Sequence, residues 1–206
     1  MERVIAYIDG FNLYFGMKSK GWKRFYWLDL PELVRQLLKQ GQQLVEAKYF
    51  TSRISASLSD PDKSKRQNIY LEALGTLPSL QIFYGHYLHS PYTCRNCGST
   101  RLVPAEKMTD VNIATELLTD AFQDRFDAAF LISGDSDLTP PIQTIRKLNP
   151  GKRTVVAFPP DRHSVELAKA ATYSFQIGRA KIAASQLPDP VVKPDGFALH
   201  RPTKWT

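Results

Sequence analysis

The sequence predicts a single α/β domain on a mostly parallel sheet, and three observations carry that expectation. Short β-branched or aromatic runs alternate with stretches of helical periodicity, the pattern of βα units. The longest apolar runs, such as Asp127-Ala128-Ala129-Phe130-Leu131-Ile132, are strand-length and far short of the roughly 18 to 20 residues of a membrane span. With 206 residues, 43% apolar and 23% charged, the chain has the composition of one sizeable core and not of a disordered polymer.

Residues 3–9 read as the first strand, and a short helix follows from Asn12. Residues 30–40 place Leu30, Leu33, Val34, Leu37 and Leu38 on one helix face, with Asp29 as cap and Pro31 in the first turn, where a missing N–H is tolerated. Residues 44–52 form a second strand and 55–60 a polar loop, after which Pro61 opens a helix reaching Leu74. Residues 79–88 make the third strand. Residues 89–104, with Pro91 and a Cys-x-x-Cys-Gly turn, read as a small insertion standing off the sheet, whose fold a metal would support. A helix from Thr109 gathers Val111, Ala114, Leu117, Leu118, Ala121 and Phe122 on one broad face. Then come a buried strand at 128–133, a helix at 138–148 with Pro140 and Pro141 in its first turn, a strand at 153–158, a helix at 164–171 and a short strand at 173–177. The domain thus spans residues 1–184, and residues 185–206, rich in proline, form an extended C-terminal tail.

Lys and Arg number 27 against 20 acids, a net charge of +7 that suits a polyanionic partner, although charges spread along a chain do not by themselves identify one. The N-terminus meets Asp9 too early for a secretory apolar segment, so a cytoplasmic location without membrane attachment is expected.

In open parallel sheets, ligands bind beyond the carboxyl ends of the strands. Asp9 closes the first strand, Asp135 and Asp137 follow the buried strand after Gly134, and Asp110 opens the helix before it. Each has an ordinary alternative as a helix cap or turn residue. Gathered in one crevice, three or four carboxylates would raise one another's pKa values unless a cation neutralised them, and Mg²⁺ or Mn²⁺ is the natural occupant.

The segments Tyr7-Ile8-Asp9-Gly10-Phe11-Asn12-Leu13, Thr109-Asp110-Val111-Asn112-Ile113-Ala114 and Leu131-Ile132-Ser133-Gly134-Asp135-Ser136-Asp137-Leu138 closely resemble, in order and spacing, the motifs of the NYN domain family, a branch of the PIN-like nuclease superfamily. The resemblance covers about residues 1–180. It implies a PIN-like three-layer α/β/α fold and metal-dependent cleavage of RNA. Carried onto this chain, it makes Asp9, Asp110 and Asp135 metal ligands and Asp137 a further ligand or outer base, with Asn12 orienting Asp9 or a metal-bound water and Ser133 supporting the same network. Asn12 reads equally well as a helix cap.

Candidate RNA contacts are Arg53, Lys65 and Arg66, with Lys63, Lys107, Arg162 and His163 as further cations near the strand ends, each having a solvated charged face as its alternative. Cys94 and Cys97 are candidates for a structural zinc with His86 and His89, against a metal-free hairpin. The resemblance names RNA as partner and admits a homodimer. Two other functions compete: a non-catalytic RNA-binding or regulatory module on the same fold, and another metal-dependent phosphohydrolase.

Overall fold

The computed structural model describes residues 1–55, 60–94 and 97–206, with the backbone alone for 87–91 and 101–107. Strand β1 (Glu2–Asp9) is buried from Val4 to Asp9, because it lies in the middle of the sheet with helices over both faces. Helix α1 (Gly10–Ser19) follows without a loop, capped by the Asp9 side chain. Helix α2 (Leu30–Leu37) starts as the sequence predicts, with Asp29 accepting from the Glu32 amide. Strand β2 (Gln42–Thr51), helix α3 (Lys63–Leu74) and strand β3 (Leu80–Tyr84) complete one half.

Strands β4 (His86–Thr93) and β5 (Thr100–Lys107) then pair antiparallel as a separate hairpin. The other half runs through α4 (Thr109–Phe122), β6 (Ala128–Ile132), α5 (Thr139–Leu148), β7 (Arg153–Phe158), α6 (Val165–Ala170), β8 (Tyr173–Gln176) and α7 (Arg179–Ala184). The six-stranded sheet has the order β3-β2-β1-β6-β7-β8, and every pairing in it is parallel.

Alternation along β1 separates the two layers. Val4, Ala6 and Ile8 pack with Leu13 and Met17 of α1, Leu33 of α2, Leu71 of α3 and Ile182 of α7. Ile5 and Tyr7 pack with Ile113 and Leu117 of α4, Ile142 of α5 and Leu167 of α6. Helices on both faces of a parallel sheet make the expected three-layer α/β/α architecture. No helix among the described residues is long and apolar enough to cross a membrane.

Four expectations need correction. Helix α1 begins at Gly10, ahead of Asn12, since Asp9 and not Asn12 supplies the cap. The third strand stops at Tyr84 and the chain leaves the sheet through Gly85, so the hairpin occupies residues 86–107 and not only 89–104. On α4, Val111 and Phe122 are exposed, and the buried face consists of Thr109, Ile113, Leu117, Asp120 and Ala121. That face carries acids because β2 sends Lys48 beneath it: the buried Lys48 ammonium meets Asp120 at 2.6 Å and Glu116 at 2.7 Å, and the Tyr7 hydroxyl donates to Asp120 at 2.6 Å. The segment after residue 184 folds back onto the domain instead of trailing from it. Leu187, Val191 and Leu199 are buried there, a two-stranded turn pairs β9 (Val191–Val192) with β10 (Ala198–Leu199), and Trp27 Nε1 donates to the Pro188 carbonyl at 2.9 Å.

Candidate active site

From β1 the chain winds outward one way to β2 and β3, and β6, β7 and β8 extend the other way. The β1–β6 boundary is therefore the topological switch point, where diverging loops leave a crevice at the carboxyl ends. Asp9 ends β1 there and Ser133 follows β6.

Asp9 is buried, only 3% exposed. Its Oδ1 accepts from the Asn12 amide at 2.9 Å, and its Oδ2 from Asn12 Nδ2 and Ser133 Oγ, both at 2.8 Å. Asn12 Oδ1 in turn accepts from the Gly134 amide at 3.2 Å, so Asn12 clamps the β6 turn to the start of α1. Ser133 Oγ accepts from the Asp135 amide at 3.1 Å, and Asp135 Oδ1 accepts from the Asp137 amide at 3.0 Å. Every partner of Asp9 is a donor, an arrangement built for the carboxylate form. Burial, and to a smaller degree the neighbouring Asp135 charge, nevertheless hold its pKa above the ordinary carboxylate value. The site thus has a buried negative charge that local hydrogen bonds do not fully stabilise.

The other predicted acids lie around this pair. Asp135 is half-buried beside Asp9, whereas Asp137 is exposed on the 3-10 turn Ser136–Leu138. Asp110 stands in the first turn of α4, which packs against that turn. It is preceded by Met108 at a φ of 78°, a left-handed conformation costly for a residue with a Cβ, which swings the chain from the hairpin into the helix. Among the described residues, no group of three or more His, Cys, Asp or Glu side chains is drawn into a metal shell.

The loop after β7 closes over the acid turn. A Cβ on Gly134 would stand 2.8 Å from Arg162 Cβ and 3.2 Å from the His163 amide, and one on Gly16 would collide with the Pro160 carbonyl. Asp161 is tied back to α1 by an ion pair with Lys20 and a 2.8 Å bond from Ser19 Oγ. The Arg162 backbone and Cβ therefore lie against the acid turn.

The preferred contacts lie elsewhere. Arg53 bonds Asn68 at 3.0 Å with its guanidinium over the Tyr84 ring, Lys65 is exposed in the first turn of α3, and Arg66 is ion-paired with Asp60 and mostly buried. Arg66 is thus committed to an internal partner, a correction to its reading as an open phosphate contact. Lys107 and His89 have side chains outside the described residues. Cys94 is half-buried and Cys97 exposed at the hairpin tip, with Cys97 Sγ 3.1 Å from Ser99 Oγ. His86 opens β4, some eight residues from Cys94 along an extended strand, a span of roughly 26 Å at ~3.3 Å per residue. It does not join the cysteines in a zinc set.

On the α1 side of the same strand ends lies a cavity of about 130 Å³, walled by Tyr14, Tyr26, Tyr49 and Trp205, with Lys63 and Arg66 also lining it. Sequence reading left its aromatic residues unassigned because each sits at ordinary core spacing.

The NYN domain matches residues 3–178, from the second residue of β1 to just beyond β8. The chain belongs to the NYN domain family. The NYN chain is 27% identical over 239 residues to the 6-hydroxy-3-succinoylpyridine 3-monooxygenase HspA of Pseudomonas putida (strain DSM 28022 / S16), an alignment covering 95% of this chain and 75% of that protein. Its fold is similar to that of VPA0982, a protein of unknown function from Vibrio parahaemolyticus RIMD 2210633, with a TM-score of 0.53 and 21% identity over 86% of this chain and 94% of the other.

Proposed function

We propose that this NYN domain is a metal-dependent ribonuclease, cleaving phosphodiester bonds at the Asp9–Asp135 crevice. The observation that carries the reading is the buried Asp9 carboxylate, fixed by Asn12 and Ser133 at the switch point and pressed by the Asp135 charge. An ion of the Mg²⁺ or Mn²⁺ type fits this donor set. The donors are all oxygens, Oδ1 of Asp9 accepts a single bond and keeps a lone pair, and Mg²⁺ needs only one or two carboxylates when waters and substrate phosphate complete its shell. Asp9, Asp110 and Asp135 would hold it, with Asp137 as a further ligand or outer base. Bound there, the ion would supply Lewis-acid polarisation of the phosphoryl oxygen and a water of lowered pKa. The chain's own residues fix the Asp9 rotamer, bring the β6 turn against it and set Arg162 beside it for a phosphate.

A second reading comes from the Pseudomonas relative, which is named for oxygenation of a hydroxypyridine bearing an acidic side chain. The aromatic cavity beside Asp9 supports a small-ring substrate for this chain as well.

The deciding experiment incubates the protein and its Asp9→Asn and Asp135→Asn variants with labelled single-stranded and hairpin RNA in Mg²⁺, Mn²⁺ or EDTA. Ion-dependent cleavage lost in both variants upholds the ribonuclease. RNA binding without cleavage favours the non-catalytic module. Neither, together with consumption of dioxygen and a two-electron reductant in oxygenating a hydroxypyridine acid, favours the second reading.

A further inference from the structure

We infer that the cavity between α1, α3 and the C-terminal segment is a binding site for one six-membered nitrogen heterocycle carrying an anionic group. The inference rests on the ribonuclease reading only for the source of the ring. In RNA it would be a pyrimidine nucleotide, and in the alternative a free pyridine acid.

Size sets the first limit. A cavity of about 130 Å³ is close to the ~150 Å³ that holds a benzene, so one ring fits and a fused bicycle would displace the Trp205 wall. The walls are aromatic. Tyr26 lies 5.0 Å from Tyr14 and 5.8 Å from Trp205 between ring centroids, and Tyr70 lies 5.9 Å from Trp205, so the lining is a cluster of aromatic rings that a further flat ring can join edge-to-face or stacked.

Polar groups select among flat rings. Tyr49 and Tyr70 are committed, through Thr51 and the Leu28 carbonyl. Among the described residues, the hydroxyls of Tyr14 and Tyr26 have no hydrogen-bond partner, and each can donate to or accept from a ring nitrogen or carbonyl. Charge selects the substituent. Asp60 is the acid in the lining, and it is shared between Arg66 and Lys204, the latter at 3.1 Å. Lys63 has no ion-pair partner among the described residues, so the rim carries an excess of positive charge. Gly10, the residue after Asp9, joins this cavity to the acid site. A Cβ there would stand 2.7 Å from the Tyr49 ring, so its absence lets Tyr49 close in on the strand end.

Calorimetric titration of the full chain in EDTA tests this with uridine 5′-monophosphate, 6-hydroxypyridine-3-carboxylate and uncharged 2-hydroxypyridine. Saturable binding of either anionic ring is expected, with Lys63→Gln weakening it about tenfold and leaving the uncharged ring unaffected. Trp205→Ala should abolish binding of both classes while thermal unfolding stays cooperative. Preference for the nucleotide identifies RNA as the source, and preference for the pyridine acid identifies a free metabolite. Asp9→Asn should bind as wild type, so loss of cleavage with intact ring binding tests the ribonuclease alone. Absence of saturable binding up to about 10 mM, or binding indifferent to both Lys63→Gln and Trp205→Ala, overturns the inference.

Discussion

Ser133 Oγ donates to Asp9 Oδ2 at 2.8 Å while accepting from the Asp135 amide, so one hydroxyl couples the ends of the two central strands. Ser133→Ala removes both bonds and leaves the fold's apolar core untouched. Cleavage should fall about 10- to 100-fold, as it does when a partner that orients a metal ligand is lost. Stability should fall by about 1–2 kcal/mol. Single-turnover cleavage and urea denaturation measure the two.

Burial raises the Asp9 pKa, so the folded state binds its proton more tightly than the unfolded chain does. The associated stability is present below the ordinary carboxylate value and is lost as pH rises through the raised one. Relative to Asp9→Asn, the wild type should therefore lose stability in EDTA as pH rises above the ordinary carboxylate value. Mg²⁺ should restore it selectively in the wild type. Parallel thermal melts would show no such divergence if the folded and unfolded chains bound the Asp9 proton equally tightly.

Lys48 and Asp120 are both buried and meet at 2.6 Å, with Arg125 completing the pair from the rim at 2.7 Å. Removing one partner strands a charge in the interior. Lys48→Ala should cost about 3–5 kcal/mol, and the double change Lys48→Met with Asp120→Leu should recover part of it. Chemical denaturation of the three proteins checks this, and a double variant no more stable than Lys48→Ala would sink the account.

A methyl on Gly134 would press into Arg162 and the loop after β7. Gly134→Ala should cost about 1–3 kcal/mol through forced backbone shifts and should reduce cleavage by parting that loop from Asp135. Gly151→Ala, where a Cβ meets nothing, is the control.

At the opposite end of β1, the Arg3 guanidinium and amide hold Asp127 down to a pKa of about 2. The sign is opposite to that of Asp9: this contribution is full above the ordinary value and disappears as pH falls toward 2. Arg3→Met should raise the acid-unfolding midpoint.

The acids were legible because central strands are apolar runs, and the carboxylate ending such a run stands out against it. Asp9 and Asp135 needed no more than that. Lys48 was missed although a signal existed: a lysine between Ala47 and Tyr49 in a strand covered on both faces demands a buried acid, and Glu116 and Asp120 stand four apart on α4. The hairpin's true start was hidden because strand alternation continues from β3 into β4, with Gly85 alone marking the break. The C-terminal packing was invisible for a different reason. Proline composition describes local conformation, and the contacts of Leu187, Val191 and Trp205 are made with residues more than a hundred positions away.

Chain order separates the two halves of the site in time. Every carboxylate of the crevice has been synthesised once Asp137 is made, whereas Trp205, which packs against Tyr26 and Tyr70 at the ring cavity, comes after the whole sheet. Under the proposed reading, a chain cut short of Trp205 would keep the acids of the crevice while lacking the aromatic wall of the ring cavity, so cleavage and ring selection would be lost by different truncations.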